Sequence, residues 1–271
     1  MEIRQAITKH EIATQHPSFL RDRLVVTNLF QENKVTFVQS HHDRILIGGC
    51  SLRNGSIILE TPEDFGAETL LERREMGLAC LYGAVSVEVD GISFDLENED
   101  IIYIGQGSKS VKIAGSGDIY ISSSICHRPH PTTLVRKSEA ETLIIGDRLH
   151  ANERTLRKYI HESGAASSSM AMGITTIHEG SVWNTMPCHI HERRTEAYLY
   201  FDMSENEKVV HLMGENHQTR HMMLGNNEAI ISPAWSIHTG AGTSHYKFVW
   251  STAGENVTYT DFIPVKTSTL I

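Results

Sequence analysis

The chain has 271 residues, 40% hydrophobic and 21% charged, with a formal net charge of −9 and no block of like charges. Such a length and balance describe a globular chain of one large or two modest domains. They argue against nucleic acid or an anionic membrane as partner, because phosphate-rich surfaces are met by clustered Lys and Arg.

No apolar run approaches the roughly 20 residues of a membrane-spanning helix. The N-terminal stretch MEIRQAITKHEIATQHPSFL lacks the apolar centre of a secretory signal. Cys50, Cys80, Cys126 and Cys188 show no C-x-x-C spacing, which reads as free thiols in a reducing cytoplasm.

In chain order, the first elements are short β-branched runs: KVTFVQS, RILIGG and GSIILE. Thr61-Pro62 can start a short helix within TPEDFGAETLLERREMG. LACLYGAVSVEVDGISFDL follows, with a hairpin turn at Asp90-Gly91. DIIYIG, SVKIAG and GDIYISSS continue the strands. His127 and His130 lie in CHRPHP, where the prolines force an irregular loop, and SGAASSSM (Ser163–Met170) reads as a loop or a lead into a strand. Short strands between Gly, Asn and Asp turns predict an all-β chain of sandwich or barrel type.

The pattern occurs twice. LERREMGLACLYG (71–83) resembles HERRTEAYLYFDM (191–203) at an offset of 120, and NEDIIYIGQGSKS (98–110) resembles NEAIISPAWSIHT (227–239) at an offset of 129. A longer hairpin around DMSENEKVVHLMGENHQTRH accounts for the difference. Two matches in one order predict two tandem antiparallel β-barrel (jelly-roll) domains, residues 1–148 and 149–271, with few short helices.

The second half carries what the first lacks. PCHIHERRTEAYLY places His189 and His191 at i and i+2, on one face of a strand, with Glu196 just beyond. His238 follows the turn PAWSIH. Through the repeat, His189, His191 and Glu196 align with Thr69, Leu71 and Met76, and His238 with Lys109. Polar groups needed for structure should recur in both halves; their presence in one fits a single site. Three imidazoles and a carboxylate suit one divalent ion of borderline softness, Zn, Mn, Fe, Co or Ni. Glu196 has the opposite strand parity to the histidines, so a bulge or turn must separate them. For that reason Arg193 and Arg194 cannot be assigned to a face.

H-I-H-x4-E with a distant His after a Pro turn is similar to the ligand pattern of cupins, although Trp235 stands where the second motif usually has Gly. WNTMPCHIHERRTEAYLYF, TRHMML, SPAWSIHTGAG, HDRILIGG, LERREMG and RTLRKYI together resemble the 5-keto-4-deoxyuronate isomerases, over nearly the whole chain. These are bacterial bicupins of pectin degradation, also called 4-deoxy-L-threo-5-hexosulose-uronate ketol-isomerases. The resemblance implies a cytoplasmic, zinc-dependent, hexameric enzyme whose ligands carry onto His189, His191, Glu196 and His238. It further implies isomerisation of an open-chain keto-uronate, from aldose to ketose, by proton transfer between adjacent carbons. An enediol route needs a Lewis acid and a base. Lys158 and Glu196 are candidates for the catalytic role. Arg193, Arg194 and Arg220 are candidates for holding the substrate carboxylate, and Tyr198 for lining the cavity. Two other functions are compatible with such a metal site: another metal-cupin enzyme, namely a dioxygenase or phosphosugar isomerase, and a non-catalytic cupin that binds sugar acids.

Overall fold

The computed structural model describes residues 1–255 and 258–271. The β-branched runs form strands, and they build two barrels. In the first half, one sheet runs in the order Glu2–Arg4, Lys34–Ser40, Leu46–Ile58, Val111–Ile125, Arg74–Val89, Ile101–Ile104, Thr133–Val135. Its long central strands curve around an apolar interior that includes Leu46, Leu71, Met76, Leu78 and Ile104. The Asp90-Gly91 hairpin is present: both residues have positive φ, 50° and 85°, as a two-residue primed turn requires.

The second half packs a seven-stranded sheet against a four-stranded one. The four-stranded sheet contains the added hairpin, strands Val209–Glu215 and Gln218–Leu224. The two sequence offsets reproduce the register. Arg74 pairs with Ile125 as Arg194 pairs with Gly254, shifts of 120 and 129 residues. A third apolar core lies between the halves, where Ile47, Ala79 and Tyr120 meet Ile174, Leu199 and Val249.

Three local features differ from the sequence expectation. After Thr61-Pro62 the chain makes only a 3-10 turn, Glu63–Phe65, ended by Gly66 in the left-handed conformation. Two unforeseen helices, Lys9–Thr14 and Pro17–Leu24, begin at a Thr8/Glu11 capping box and at a proline in the first turn. They place Ile12, Leu20 and Leu24 in the core of the second half, and Val25–Val26 joins its larger sheet. Finally, the strand Glu141–Ile145 pairs with Arg154–Ile160. The sheets therefore change over between Val135 and Glu141, ahead of residue 148.

A buried carboxylate ties the halves together. Glu75, on the central strand of the first half, is fully buried. It accepts hydrogen bonds from the backbone N–H of Ser168 and Ser169, both at 2.7 Å, and from the Tyr103 hydroxyl at 2.8 Å. Glu75→Gln would turn an amide N–H₂ toward one of these donors. Leaving buried donors without acceptors costs about 1–3 kcal/mol, so the thermal midpoint is expected to fall by several degrees. An unchanged midpoint would mean that Glu75 does not hold the SGAASSSM loop in place.

Candidate metal centre

The first motif is held by three separate constraints. His189–Ile190 forms a short strand paired with Ile263–Pro264 from near the C-terminus. His191 leaves the strand and donates its backbone N–H to the carbonyl of Ala234, 3.0 Å away in the turn of the second motif. Regular pairing resumes at Arg194. The bend at residues 192–193 is the predicted break, and it brings Glu196 to the side of the histidines. His238 comes from the opposite sheet, on the strand Ile237–Gly242. The first half also reaches the strand Arg194–Phe201 that carries Glu196: the Asp43 carboxylate accepts from the backbone N–H and the hydroxyl of Thr195, at 2.8 and 2.6 Å.

Four side chains converge as a result. One ligand-capable atom from each of His189, His191, Glu196 and His238 lies within 4.8 Å of the others. His191 Nε2 is 2.7 Å from Glu196 Oε2, and His238 Nε2 is 3.1 Å from the same oxygen and 3.0 Å from His189 Nε2. The far nitrogens identify the tautomers. His191 Nδ1 faces the Asp261 carbonyl at 2.9 Å, and His238 Nδ1 faces the Ser236 carbonyl at 3.3 Å. A carbonyl oxygen can only accept, so each Nδ1 carries the hydrogen and the neutral ring keeps its lone pair on Nε2. With both rings neutral, lone pairs of His191, His238 and Glu196 point at one spot, an arrangement that a shared proton or a bound cation satisfies. Carbonyl-anchored imidazoles with free Nε2 atoms are also how proteins orient metal ligands. The donor set therefore fits a divalent ion, and among the described residues it is the one such cluster.

Electrostatics agree. Burial opposes the charge of Glu196, but His238 and His191 more than offset it and hold the carboxyl well below its ordinary range. Burial, reinforced by His238, pushes His189 down to about 2, so it stays neutral and able to ligate. The cluster opens on a cavity of about 310 Å³. On its wall stand Arg154, Arg194, Tyr198, Trp250 and Tyr259, with Glu196 its one carboxylate among the described residues.

The structure sorts the other candidates. Arg194 is buried and lines the cavity; its Nη atoms donate to the carbonyls of Thr258 and Tyr259. Tyr198 lines it too, its hydroxyl 2.9 Å from Thr185 Oγ1. Tyr200 is in the core, hydrogen-bonded to His211. Three candidates lie outside the lining. Arg193 is exposed and forks onto the Asp261 carboxylate at 2.9–3.2 Å. Arg220 donates to the carbonyls of Ile12 and Ala13, at the end of the Lys9–Thr14 helix. Lys158 pairs with Glu141 at 2.6 Å and sits 4.8 Å over the ring of Tyr259. Sequence reasoning missed Arg154, four residues before Lys158 and on the same strand face; that parity was the available signal.

Two barrels in one chain, with a three-histidine, one-glutamate cluster in the second, define a bicupin. Solved structures share the fold: an IolB-like protein from Salmonella typhimurium LT2 (TM-score 0.71, 13% identity, 89% of this chain and 96% of that one). Oxalate decarboxylase of Bacillus subtilis, a protein with Mn(II) centres, is similar at TM-score 0.59, with 11% identity over 82% of this chain and 71% of that one. The chain belongs to the KduI/IolB family, which it matches over residues 24–267. The 4-deoxy-L-threo-5-hexosulose-uronate ketol-isomerase of Kineococcus radiotolerans is 40% identical over 98% of this chain and 99% of its own length. Its namesake from Pectobacterium carotovorum is 38% identical over 96% of each chain.

Proposed function

We propose that this chain is a metal-dependent aldose–ketose isomerase. It converts 4-deoxy-L-threo-5-hexosulose uronate (5-dehydro-4-deoxy-D-glucuronate) to 3-deoxy-D-glycero-2,5-hexodiulosonate, in the breakdown of pectin. The observation that carries this reading is the cavity, which combines the four-ligand cluster with two arginines that have no ion pair among the described residues. The names of its relatives at about 40% identity support the choice of substrate.

His189, His191, Glu196 and His238 would hold one ion, for which we favour zinc; when bound, it supplies Lewis acidity toward the carbonyl and hydroxyl oxygens of the substrate. The protein's own groups do the rest. Arg154 donates to the Asn152 carbonyl at 2.7 Å and presents a further guanidinium edge for the substrate carboxylate. Arg194 shapes the wall beside it. Burial keeps Tyr198 far above its ordinary pKa and pushes Tyr259 up to about 12, so both phenols remain hydrogen-bond donors at neutral pH. Glu196, the anion of the lining, is left as the group that takes and returns the proton. Lys158, drawn to Glu141, supports the ring of Tyr259.

The test is turnover of this substrate followed by NMR in deuterated water. Proton transfer through an enediol places deuterium on the new hydroxymethyl carbon. Absence of turnover would sink the proposal; turnover with no deuterium, together with a large isotope effect on substrate labelled at the carbinol carbon, would replace proton transfer by a hydride shift. Lys158→Ala is expected to keep the metal and remain within about tenfold of the parent rate, whereas loss of a general base costs 10²-fold or more.

We further place the enzyme in the cytoplasm as a homo-hexamer, with the two units that the repeat sets at residues 1–148 and 149–271, save that the strand Glu141–Ile145 joins the second. Four buried free cysteines are consistent with a reducing compartment. The edge strand Glu141–Ile145 exposes Leu143 and Ile144, at 40% and 70%, as a surface for a neighbouring copy. Sedimentation that finds only a 30.3 kDa species would rule out the oligomer.

A further inference from the structure

The first barrel has a mouth of its own. Through the 120-residue offset Arg74 is the counterpart of Arg194, and each opens the central strand of its half in the same register. Two residues on, the face that carries Glu196 in the second barrel carries Met76 in the first. There Leu46, Leu70, Leu71 and Met76 fill the interior, so no metal cavity remains. At the rim above them, however, lies a cavity of about 270 Å³, lined by Gln39, Arg44, Asp64, Phe65, Arg73 and Arg74 among others.

The charge of Arg74 is not matched by its partners. Its side chain is 5% exposed and donates to three neutral oxygens: the Arg44 carbonyl at 2.8 Å, Gln39 Oε1 at 3.0 Å and the Ser123 carbonyl at 3.4 Å. Its guanidinium lies 4.9 Å over the ring of Phe65. Burial, reinforced by the like charge of Arg44, pushes its pKa down to about 10, as for a cation that no anion compensates. Arg44 is exposed and makes no ion pair among the described residues. Arg73 is matched by Glu72 at 3.2 Å. Asp64 stands exposed on the rim and pairs with neither Arg44 nor Arg74 among the described residues. Burying a cation is costly unless an anion meets it, and a guanidinium pair is suited to the flat fork of a carboxylate.

We propose that this mouth is a second binding site, which takes a small carboxylate-bearing molecule between Arg44 and Arg74. Its volume is slightly below the usual range of ligand pockets, which limits the occupant to a few carbons to a single sugar acid. The site does not depend on the metal reading, because no residue of the four-ligand cluster lines it.

The experiment is calorimetric titration of the full chain with D-glucuronate, with the neutral D-glucuronamide as control. His191→Ala, which disables the metal cluster, should still bind glucuronate with a Kd on the order of 1 mM and should not bind the amide. Adding Arg44→Gln to that variant should weaken binding by about tenfold or more; Arg44 is exposed, so folding is not at issue. Arg74→Lys, which keeps the charge and removes the fork, should weaken it as well. Three results would overturn the proposal: no binding in His191→Ala, unchanged binding on adding Arg44→Gln, or equal affinity for inorganic phosphate, which would mean that the mouth reads charge alone.

Discussion

His191→Ala is expected to strip the metal from the protein while leaving its fold. His191 is 3% exposed, accepts no hydrogen bond that the fold needs at Nε2, and shares Glu196 Oε2 with His238. Its removal leaves two imidazoles and one carboxylate, one donor short of the four of a closed tetrahedral site. Changes to groups that merely orient a ligand cost 10–100-fold in affinity, so loss of a ligand itself should cost more than about 10²-fold. Metal analysis after dialysis should find about one ion per chain in the parent and a small fraction in the variant. Adding a chelator should lower the thermal midpoint of the parent and leave the variant unmoved, because only the parent gains stability from bound metal. Equal metal content in the two proteins would remove His191 from the site. The β-type circular dichroism is expected to persist, since the strands of both barrels are held by cores that do not include this side chain.

The metal cluster was legible because its pattern is local: three of its four residues fall within eight positions, and their absence from the repeat marks them as functional. The barrels were legible for a related reason. A strand buried on a known face alternates, and a duplicated strand alternates twice in the same register, as Arg74–Ile125 and Arg194–Gly254 do. What could not be read depends on partners far away in the chain. Strand parity places Lys158 on the same face as Arg154 and Leu156, yet its ammonium is captured by Glu141 across the neighbouring strand. Arg220 is taken by the helix Lys9–Thr14, whose capping box was present in the sequence but short of any apolar periodicity. Arg193 and Arg194 could not be separated until the bend at residues 192–193 was located; one residue of slip exchanges their faces. Trp250 and Tyr259 reach the wall from the strand Lys247–Gly254 and the segment beyond it, at a distance in sequence that no short motif spans.

Arg154→Ala is expected to give the largest loss among the cavity-wall variants. Arg194 lends both Nη atoms to backbone carbonyls, so its truncation would loosen the segment at Thr258 and Tyr259 as well as the wall. Arg154 lends one Nη to Asn152 and has no carboxylate partner among the described residues. Burial already lowers its pKa from the usual arginine value, so the unpaired cation gains from a bound carboxylate as the carboxylate gains from it. A hydrogen bond to a charged group contributes about 1.5–3 kcal/mol, which corresponds to roughly 10–150-fold in kcat/KM. The carboxylate is at the far end of the substrate from the carbons that exchange the proton. Its anchor therefore acts on ground state and transition state alike, and the loss should fall mainly on KM. A structural defect would lower turnover of every substrate. An anchor predicts something narrower: the parent should prefer the uronate to its methyl ester, and Arg154→Ala should lose most of that preference while retaining its metal. Arg154→Lys should recover only part of it, because a point charge does not replace a fork. A variant that keeps the parent's preference for acid over ester would transfer the anchoring role to Arg194.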